Sequence, residues 1–236
     1  PTAALMDRAR EAYPDMSYED AREFLSGMGS YLCGAFVDEP TIDGQSLRDR
    51  FMARYFTAVA YNARNPGKTV EWMPILIGAQ GCGKSLLARH LVPEDSGLFH
   101  EVVGSMDLLL RETQRLHNGM ILELPEINEY FQRKHAVDQL KQLVTKQSDN
   151  VRFPYDRDTT DLERTFAFIG TANVYDLFTD GSDEGERRYL PITIPEGFKT
   201  PWQELRDGLN LKIWAAADII ASCFSPASKY SDRFFG

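Results

Sequence analysis

The stretch Ile75-Leu-Ile-Gly-Ala-Gln-Gly-Cys-Gly-Lys-Ser85 contains the pattern Gly-x-x-x-x-Gly-Lys-Ser, which begins at Gly78 and has its second glycine at Gly83. Glycines in such a stretch let successive backbone N–H groups curl around an anion, because no Cβ atom obstructs the approach. The lysine and serine that follow would reach phosphate oxygens and Mg²⁺. The pattern therefore predicts a phosphate-binding loop. The alternative is a glycine-rich turn that carries Lys-Ser by chance.

The residues on either side of this loop suit a strand–loop–helix unit. The apolar run Met73–Ile77 is typical of a buried parallel strand. The run Leu86–Leu91 favours a helix, whose N-terminus would add partial positive charge. We expect Lys84 to reach the β and γ phosphates of ATP and Ser85 to ligate Mg²⁺. The expected nucleotide contacts are Gly78, Ala79, Gln80, Gly81, Cys82, Gly83, Lys84, Ser85 and Leu86.

Composition and charge limit the classes of protein. The chain has 236 residues, of which 43% are hydrophobic, enough for one large α/β domain with a packed core. With no membrane-length apolar run, no secretory signal and three scattered cysteines, we expect a cytoplasmic protein with no membrane partner. The net charge of −9 counts against a passive nucleic-acid binder, although a ring-shaped motor can keep basic residues in its channel. The first residue is Pro1, so we expect a domain of a longer protein.

Hydrophobic patterning divides the chain into three regions. Residues 1–65 favour helices and lack strand alternation. In residues 66–200 short apolar strands alternate with helices, which predicts an α/β core with a central parallel sheet flanked by helices. Residues 201–236 contain a last helix and a tail. Five strands are expected, at 73–77, 99–104, 120–124, 166–170 and 189–194, the last near an edge because it contains a proline.

Local signals mark where helices begin and end. Ser17 opens a capping-box pattern, and the helix it starts is expected to continue through Leu32. Ser46 begins a second helix that ends before Asn65-Pro66-Gly67. Thr200, which precedes a proline, has the pattern of a further capping box and predicts the start of the last helix.

Two glutamates lie on and just after the strand predicted at 120–124. Glu123 interrupts an apolar run, where an unpaired charge would be costly, and Glu126 follows a Leu-Pro turn, where a carboxylate could face the γ-phosphate. Hydrolysis of ATP needs a carboxylate that helps hold Mg²⁺ and a group that orients water. We therefore expect Glu123 to ligate Mg²⁺ with Ser85, and one of the two glutamates to be the catalytic base. The alternative is a pair of surface glutamates.

Polar residues adjoin the last two predicted strands. Asn173 follows an apolar strand, and its amide could position the attacking water; the alternative is that it only turns the chain. Arg187 and Arg188 precede the fifth strand and point in different directions, so at most one would reach a phosphate, supplied to the ATP of a neighbouring subunit. A solvated charge pair is the alternative.

The segment from Arg133 to Arg164 interleaves basic and aromatic residues. Its first part is predicted to belong to a helix that carries Val137, Leu140 and Val144, and the rest is expected to form an exposed loop. Such a loop contacts phosphates and stacks bases in single-stranded DNA. The residues expected to do so are Lys141, Lys146, Arg152, Tyr155 and Arg157. Because its charge is nearly balanced, a mixed loop without a nucleic-acid partner remains the alternative.

The motifs occur in one order along the chain. They are Asn65-Pro66-Gly67, Gly78–Ser85, Leu122–Glu126, Leu140–Thr145, Val151–Arg157, Glu163-Arg164, Ile169–Asn173 and Arg187-Arg188-Tyr189. This series resembles the virulence-associated E family of P-loop ATPases, found in phages, prophages and mobile islands. It is also similar to the superfamily 3 helicases of the AAA+ class.

The resemblance implies an AAA+ fold and a ring-forming ATPase, expected as a hexamer, that acts in replication of a mobile element. A primase is often fused to such proteins or encoded beside them. By position, Lys84 and Ser85 would be the Walker A residues and Asn173 sensor 1. The acids Glu123 and Glu126 would be the Walker B residues, and Arg187 or Arg188 the arginine acting in trans.

Three functions compete at this point. The first is a helicase motor that hydrolyses ATP between subunits and translocates on single-stranded DNA. The second is a regulatory ATPase, an initiator-loading or phage-defence switch, that binds protein instead of unwinding DNA. The third is a monomeric small-molecule kinase, which leaves Asn173 and the paired arginines unexplained. Stimulation of hydrolysis by single-stranded DNA separates the first two.

Overall fold

The computed structural model describes residues 1–68, 70–103, 109, 113–128, 134–151, 158–173 and 188–223. The helices in these ranges are α1 (Thr2–Ala12), α2 (Tyr18–Ser26), α3 (Met28–Cys33), α4 (Leu47–Arg64), α5 (Lys84–His90), α6 (Lys134–Thr145), α7 (Trp202–Glu204) and α8 (Asn210–Ser222). A π-helical turn, Leu205–Leu209, joins the last two, and 3₁₀ turns occur at Glu94–Ser96 and Thr113–Asn118. The strands are β1 (Thr41–Ile42), β2 (Gln45–Ser46), β3 (Met73–Ile77), β4 (Phe99–Glu101), β5 (Ile121–Leu124), β6 (Ser148–Val151), β7 (Thr160–Glu163), β8 (Ala167–Ala172) and β9 (Tyr189–Thr193).

A five-stranded parallel sheet forms the centre of the protein, in the order β4-β5-β8-β3-β9. Strand β3 has the predicted bounds, and the other four strands overlap the predicted ones. The proline-containing β9 lies at an edge, as its sequence predicts. The α/β fold with a helix-flanked parallel sheet is therefore confirmed.

Side chains of the sheet alternate between two apolar cores, one on each face. Leu76 of β3 belongs to the core that includes the helices of the N-terminal region. Its neighbours Ile75 and Ile77 belong to the other core, with Leu140 and Leu143 of α6. Because both faces are covered, β3 is buried along its whole length, which explains its uninterrupted apolar sequence.

Helices from both ends of the chain form one layer over the first core. Helix α8 packs against α1, α2 and α4. Trp214 of α8 meets Phe56 of α4 edge-to-face, with ring centroids 5.6 Å apart. Arg64, at the end of α4, pairs with Asp218 of α8 at 2.9 Å and with Asp7 of α1 at 2.6 Å. Among the described residues, none of the helices has the length and apolarity needed to cross a bilayer.

The predicted helix starts at Ser17 and Ser46 are confirmed. The Ser17 hydroxyl accepts a hydrogen bond from the backbone N–H of Asp20, whose carboxylate accepts one from the Ser17 N–H, which completes the capping box. The Ser46 hydroxyl accepts from the N–H of Asp49 and caps α4. Helix α4 ends before Asn65, as predicted.

The helix expected to run from residue 17 through Leu32 is wrong in one respect, because it divides into α2 and α3 at Gly27. Glycine is a poor residue for a helix interior. The Asp49 carboxylate of α4 accepts hydrogen bonds from both the N–H and the hydroxyl of Ser30. These bonds satisfy a donor in the first turn of α3 and let it pack separately on α4.

The helix predicted to carry Leu140 and Val144 is confirmed as α6, but the loop expected after it is wrong, since the described part contains the antiparallel hairpin of β6 and β7. A buried ion pair lies at the base of this hairpin. The guanidinium of Arg164 donates to both carboxylate oxygens of Asp149, at 2.6 and 2.8 Å. Burial alone would raise the pKa of Asp149, but hydrogen bonds from His117 and Arg164 outweigh it and hold that pKa well below its usual range. Arg164 is thus a structural residue rather than part of an exposed basic loop.

Candidate nucleotide-binding site

The glycine-rich loop joins the C-terminal end of β3 to α5. Its first residue, Gly78, donates its N–H to the carbonyl of Ala172 at the end of β8, at 3.2 Å. Gly81 and Gly83 have φ angles of +76° and +101°. Side chains other than hydrogen are disfavoured in this region of backbone space, so the turn depends on glycine at both positions.

The Lys84 ammonium is held inside the loop. Only 7% of the residue is exposed. Its Nζ donates to the carbonyls of Gly78 and Ala79 at 2.8 and 3.0 Å, and to Oδ1 of Asn173 at 2.9 Å. An ammonium has three donors, and these oxygens account for them. A positive charge is therefore positioned where the loop is expected to receive phosphate.

Asn173 bridges this ammonium to a carboxylate. Its Nδ2 donates to Oε1 of Glu126 at 2.6 Å, so the three side chains form one hydrogen-bonded series, Lys84–Asn173–Glu126. They meet because β3, β5 and β8 are parallel neighbours whose C-terminal ends lie at the same edge of the sheet. Ile127, which follows Glu126, donates its N–H to the carbonyl of Thr171 at 2.9 Å and fixes the turn after β5.

Glu126 has an unusual backbone. Its φ angle is +47°, a left-handed conformation that is uncommon outside glycine. Such a conformation costs about 1–2 kcal/mol, and strained residues of this kind concentrate at functional sites. The conformation presents the exposed Glu126 carboxylate to Asn173 rather than to the core.

Glu123 differs from Glu126 in its surroundings. It is 1% exposed, and its carboxylate accepts hydrogen bonds from the hydroxyls of Thr171, at 3.0 Å, and Ser85. Burial raises the pKa of Glu123, and these two hydrogen bonds offset the rise only in part. No described lysine or arginine forms an ion pair with this carboxylate. A buried carboxylate beside a serine hydroxyl offers the oxygen donors that Mg²⁺ prefers, so the two residues fit the expected metal.

The other expected loop contacts lie along the same turn. Ala79, Gln80, Gly81 and Ser85 are exposed, and Leu86 is one of the exposed large apolar residues. Cys82 is buried. Exposure of the loop tip leaves it open to a ligand.

Arg188 lies at the opposite end of the sheet from the loop. Its carbonyl accepts a hydrogen bond from the N–H of Met73, the first residue of β3. The loop follows Ile77, the last residue of that strand, about 13 Å away at the usual rise of a β-strand. The Arg188 backbone is thus remote from the loop of its own chain. Arg187 falls outside the described residues.

Two of the five expected nucleic-acid contacts can be located. Lys141 of α6 lies 3.6 Å from Asp138, and Lys146 lies 3.0 Å from Asp149, both measured from Nζ to a carboxylate oxygen. Both lysines are partly exposed, but each charge is compensated by an acid. The remaining three, Arg152, Tyr155 and Arg157, lie outside the part of the chain that the structure describes.

Two residues that hydrogen-bond to the loop, Lys199 and Thr200, are not predicted from the sequence as part of the site. For Thr200 the sequence predicts a different role, the cap of a helix. Lys199 donates from Nζ to the carbonyl of Gly81 at 2.9 Å, and the Thr200 hydroxyl donates to the carbonyl of Gly83 at 3.0 Å. The predicted capping box at Thr200 is therefore wrong: the N-cap of α7 is Pro201, without a side-chain cap. Nothing local in the sequence marks a contact between residues 117 positions apart.

The sequence matches the model of one known protein family. Residues 32–223 match the family model of the virulence-associated protein E-like domain. The chain belongs to that family. The match includes the glycine-rich loop, both glutamates and Asn173, and it confirms the resemblance that the motif order indicates. A search of curated proteins returns no match to the sequence.

Solved structures show the same fold at low identity. One structure of the NrS-1 C-terminal region is 18% identical, with a TM-score of 0.51 over 87% of this chain and 52% of that one. A second structure of the region is 15% identical, with a TM-score of 0.51 over 90% of this chain and 49% of that one. The chain thus spans about half the length of the structures it matches.

Proposed function

We propose that this chain is the ATPase motor of a DNA helicase of the superfamily 3 type, acting in the replication of phage or mobile-element DNA. The observation that carries the proposal is the series Lys84–Asn173–Glu126, formed beside the buried Glu123 and the Ser85 hydroxyl that donates to it. It joins a phosphate-binding ammonium to a carboxylate through one amide. Membership of the virulence-associated protein E-like domain family supports the same reading.

Binding of ATP rests on the loop and on Lys84. The ammonium exchanges its carbonyl and amide acceptors for oxygens of the β and γ phosphates, which carry more negative charge. Ser85 and the ionised Glu123 would hold Mg²⁺, which would neutralise negative charge on the phosphates. Thr171 donates to Glu123 and fixes the orientation of its carboxylate.

Hydrolysis rests on Glu126 and Asn173. Glu126 is the general base, because it is exposed at the end of β5 and lies beside the side chain that contacts Lys84. Asn173 holds the Glu126 carboxylate through its Nδ2 and orients the attacking water together with it. Glu123 is unsuited to that role, since it is buried and already accepts from two hydroxyls. The two glutamates thus divide the metal and proton-transfer roles.

Turnover needs an arginine from a second subunit. Arg188 is separated from the loop of its own chain by the length of β3 and lies next to edge strand β9, where a neighbouring subunit can approach. A guanidinium supplied there stabilises the charge of the transferring phosphoryl group. We infer a homo-oligomeric ring, with six subunits expected, in which each ATP lies between two copies.

Single-stranded DNA is the proposed polymer substrate, gripped by α6 and the segment around the β6–β7 hairpin. Lys141 and Lys146 are partly exposed on this unit, and Arg152, Tyr155 and Arg157 belong to the same stretch of sequence. Basic and aromatic residues of this kind bind phosphates and stack on bases. A primase, fused or separate, is the expected functional partner, and the cytoplasm the expected location.

One observation favours a second function. Lys141 and Lys146 of the proposed DNA-binding unit are each paired with an acid, and the chain carries a net charge of −9. These features suit a regulatory ATPase that binds a protein. Such a switch would hydrolyse ATP slowly and independently of DNA.

Strand displacement tests the proposal. A forked DNA duplex is incubated with the protein, ATP and Mg²⁺, with Lys84→Ala as the matched inactive variant. Release of the displaced strand by the wild type alone, and only with hydrolysable ATP, is the expected result. Hydrolysis of ATP without strand release, at a rate that DNA does not change, would favour the regulatory ATPase.

A further inference from the structure

Two consecutive residues after β9 contact three consecutive carbonyls of the glycine-rich loop. Lys199 Nζ donates to the Gly81 carbonyl at 2.9 Å. The Thr200 N–H donates to the Cys82 carbonyl at 3.0 Å, and the Thr200 hydroxyl donates to the Gly83 carbonyl at 3.0 Å. The Gly83 carbonyl also accepts the N–H of Leu87 in α5, at 2.8 Å. The outer side of the loop is thus bonded to a short segment far away in sequence.

These bonds orient the loop N–H groups. In a trans peptide the carbonyl and the following N–H point in opposite directions. Because Thr200 holds the carbonyls of Cys82 and Gly83, the N–H groups of Gly83 and Lys84 point away from Thr200. That is the side on which backbone N–H groups of such a loop bind phosphate oxygens.

Contact between Thr200 and the loop is close enough to exclude a side chain at Gly83. A Cβ atom built on Gly83 would lie 2.3 Å from the Thr200 hydroxyl, well inside van der Waals contact. The φ angle of +101° at Gly83 adds a second reason for glycine. Thr200 itself is 4% exposed, so its hydroxyl has little access to water as an alternative partner.

The same C-terminal segment holds the far end of α5. Asn210 donates from Nδ2 to the carbonyl of His90 at 3.1 Å, and the Trp214 indole donates to the carbonyl of Leu91 at 2.5 Å. The ring of Trp202 stacks on His90 with centroids 5.4 Å apart. The loop and its helix are therefore fixed at both ends to residues that follow β9.

We propose that Thr200, assisted by Lys199, is a positioning residue for phosphate binding. It presets the loop N–H groups before a nucleotide arrives. The inference rests on the proposed nucleotide binding at Lys84. Because the ordering of the loop is already present in the free protein, less conformational entropy is lost on binding.

Replacement of Thr200 by valine tests the role of the hydroxyl. Thr200→Val keeps the side-chain shape and the backbone N–H but removes the donor to Gly83. Affinity for ATP, measured by calorimetric titration, should fall about fivefold to tenfold, the size of one net hydrogen bond. Thr200→Ser restores a hydroxyl and should bind ATP within about twofold of wild type.

Thr57 provides a matched control. It is 3% exposed, and its hydroxyl donates to the Ala53 carbonyl within α4, at 2.8 Å, remote in sequence from the loop. Thr57→Val should lose stability about as much as Thr200→Val while binding ATP like wild type. If the two variants lose stability equally and bind ATP equally well, Thr200 is only a structural residue and the inference is wrong.

Lys199→Met keeps the test valid if Thr200→Val does not fold. Lys199 is exposed, so its replacement should leave folding intact while ATP affinity falls about twofold to threefold. The fall should persist at about 1 M salt, where long-range charge effects are screened; a loss of affinity that disappears at this salt concentration overturns the role of the Gly81 bond.

If wild type itself binds no ATP, the proposed function fails. If wild type binds, Lys84→Ala does not, and Thr200→Val and Lys199→Met bind like wild type, only the positioning role fails.

Discussion

Substitution of Asn173 separates its two hydrogen bonds. Asn173→Ala removes both the acceptor for Lys84 and the donor to Glu126. Asn173→Asp keeps an acceptor for Lys84 but replaces the donor to Glu126 with a second carboxylate oxygen, 2.6 Å from the first in the present geometry. The two variants should therefore both lose turnover but differ in how well they bind ATP.

The magnitudes follow from the surroundings of each bond. A hydrogen bond to a charged group contributes about 1.5–3 kcal/mol, and the exposure of Asn173 and Glu126 places this one near the lower value. Loss of about 1.5 kcal/mol lowers kcat roughly tenfold in Asn173→Ala, with the ATP affinity within about twofold of wild type. In Asn173→Asp, repulsion from Glu126 adds about 1 kcal/mol, for a fall in kcat of roughly fiftyfold. In the same variant, the introduced carboxylate forms an ion pair with the buried Lys84 ammonium. This ion pair competes with phosphate for Lys84, so ATP binding should weaken more than about tenfold.

Steady-state ATPase assays give kcat, and calorimetric titration gives the ATP affinity. Asn150→Ala is the matched control, because Asn150 also donates from Nδ2 to a carboxylate, that of Asp161, at 2.9 Å on the β6–β7 hairpin. Without DNA this variant should hydrolyse ATP at the wild-type rate. Equal ATP affinity in Asn173→Ala and Asn173→Asp, or unchanged kcat in both, would refute the role given to the amide.

Three further outcomes are expected. Burial raises the pKa of Glu123, so its carboxyl takes up a proton at a higher pH than the carboxyl of an exposed glutamate does. Because the protonated form cannot hold Mg²⁺, the Mg²⁺ concentration needed for the half-maximal ATPase rate should rise as the pH is lowered. A requirement that stays constant until the protein unfolds in acid would contradict this. Arg188→Ala should bind ATP and lack turnover. Mixing it with the equally inactive Lys84→Ala should restore part of the rate, because some interfaces in a mixed ring combine one intact Lys84 with one intact Arg188. If no activity returns after the subunits exchange, the arginine does not act in trans. Arg164→Met leaves the Asp149 carboxylate buried without its bidentate partner, so urea unfolding should report a loss of about 3–5 kcal/mol, whereas a loss below about 1 kcal/mol would mean that the pair is dispensable.

The sequence predicts those parts of the fold in which local pattern and final environment agree. Strand β3 is apolar throughout because it is buried on both faces, and its bounds are predicted correctly. The capping box at Ser17 is confirmed because both of its bonds join residues three positions apart. The edge position of β9 follows from one proline.

Residues whose roles depend on distant partners could not be predicted. Arg164 has the same local sequence character as an exposed basic residue, and only its pairing with Asp149 across the hairpin base makes it a core residue. Thr200 precedes a proline and matches a capping box, but the loop offers its hydroxyl a carbonyl 117 positions away. In the candidate site, the sequence predicts that Glu123 and Glu126 lie together but does not distinguish them. Only the fold shows that Glu123 is buried and that Glu126 is exposed, with a left-handed backbone conformation.

The rate of ATP hydrolysis per subunit, measured against protein concentration with and without single-stranded DNA, tests the central proposal most directly. A motor completed by an arginine from a neighbouring subunit should show a rate per subunit that rises with concentration as the ring assembles. That rate should rise again when single-stranded DNA is added. Full activity in a dilute sample shown to be monomeric would contradict the shared site, and a low rate indifferent to DNA would contradict the helicase motor.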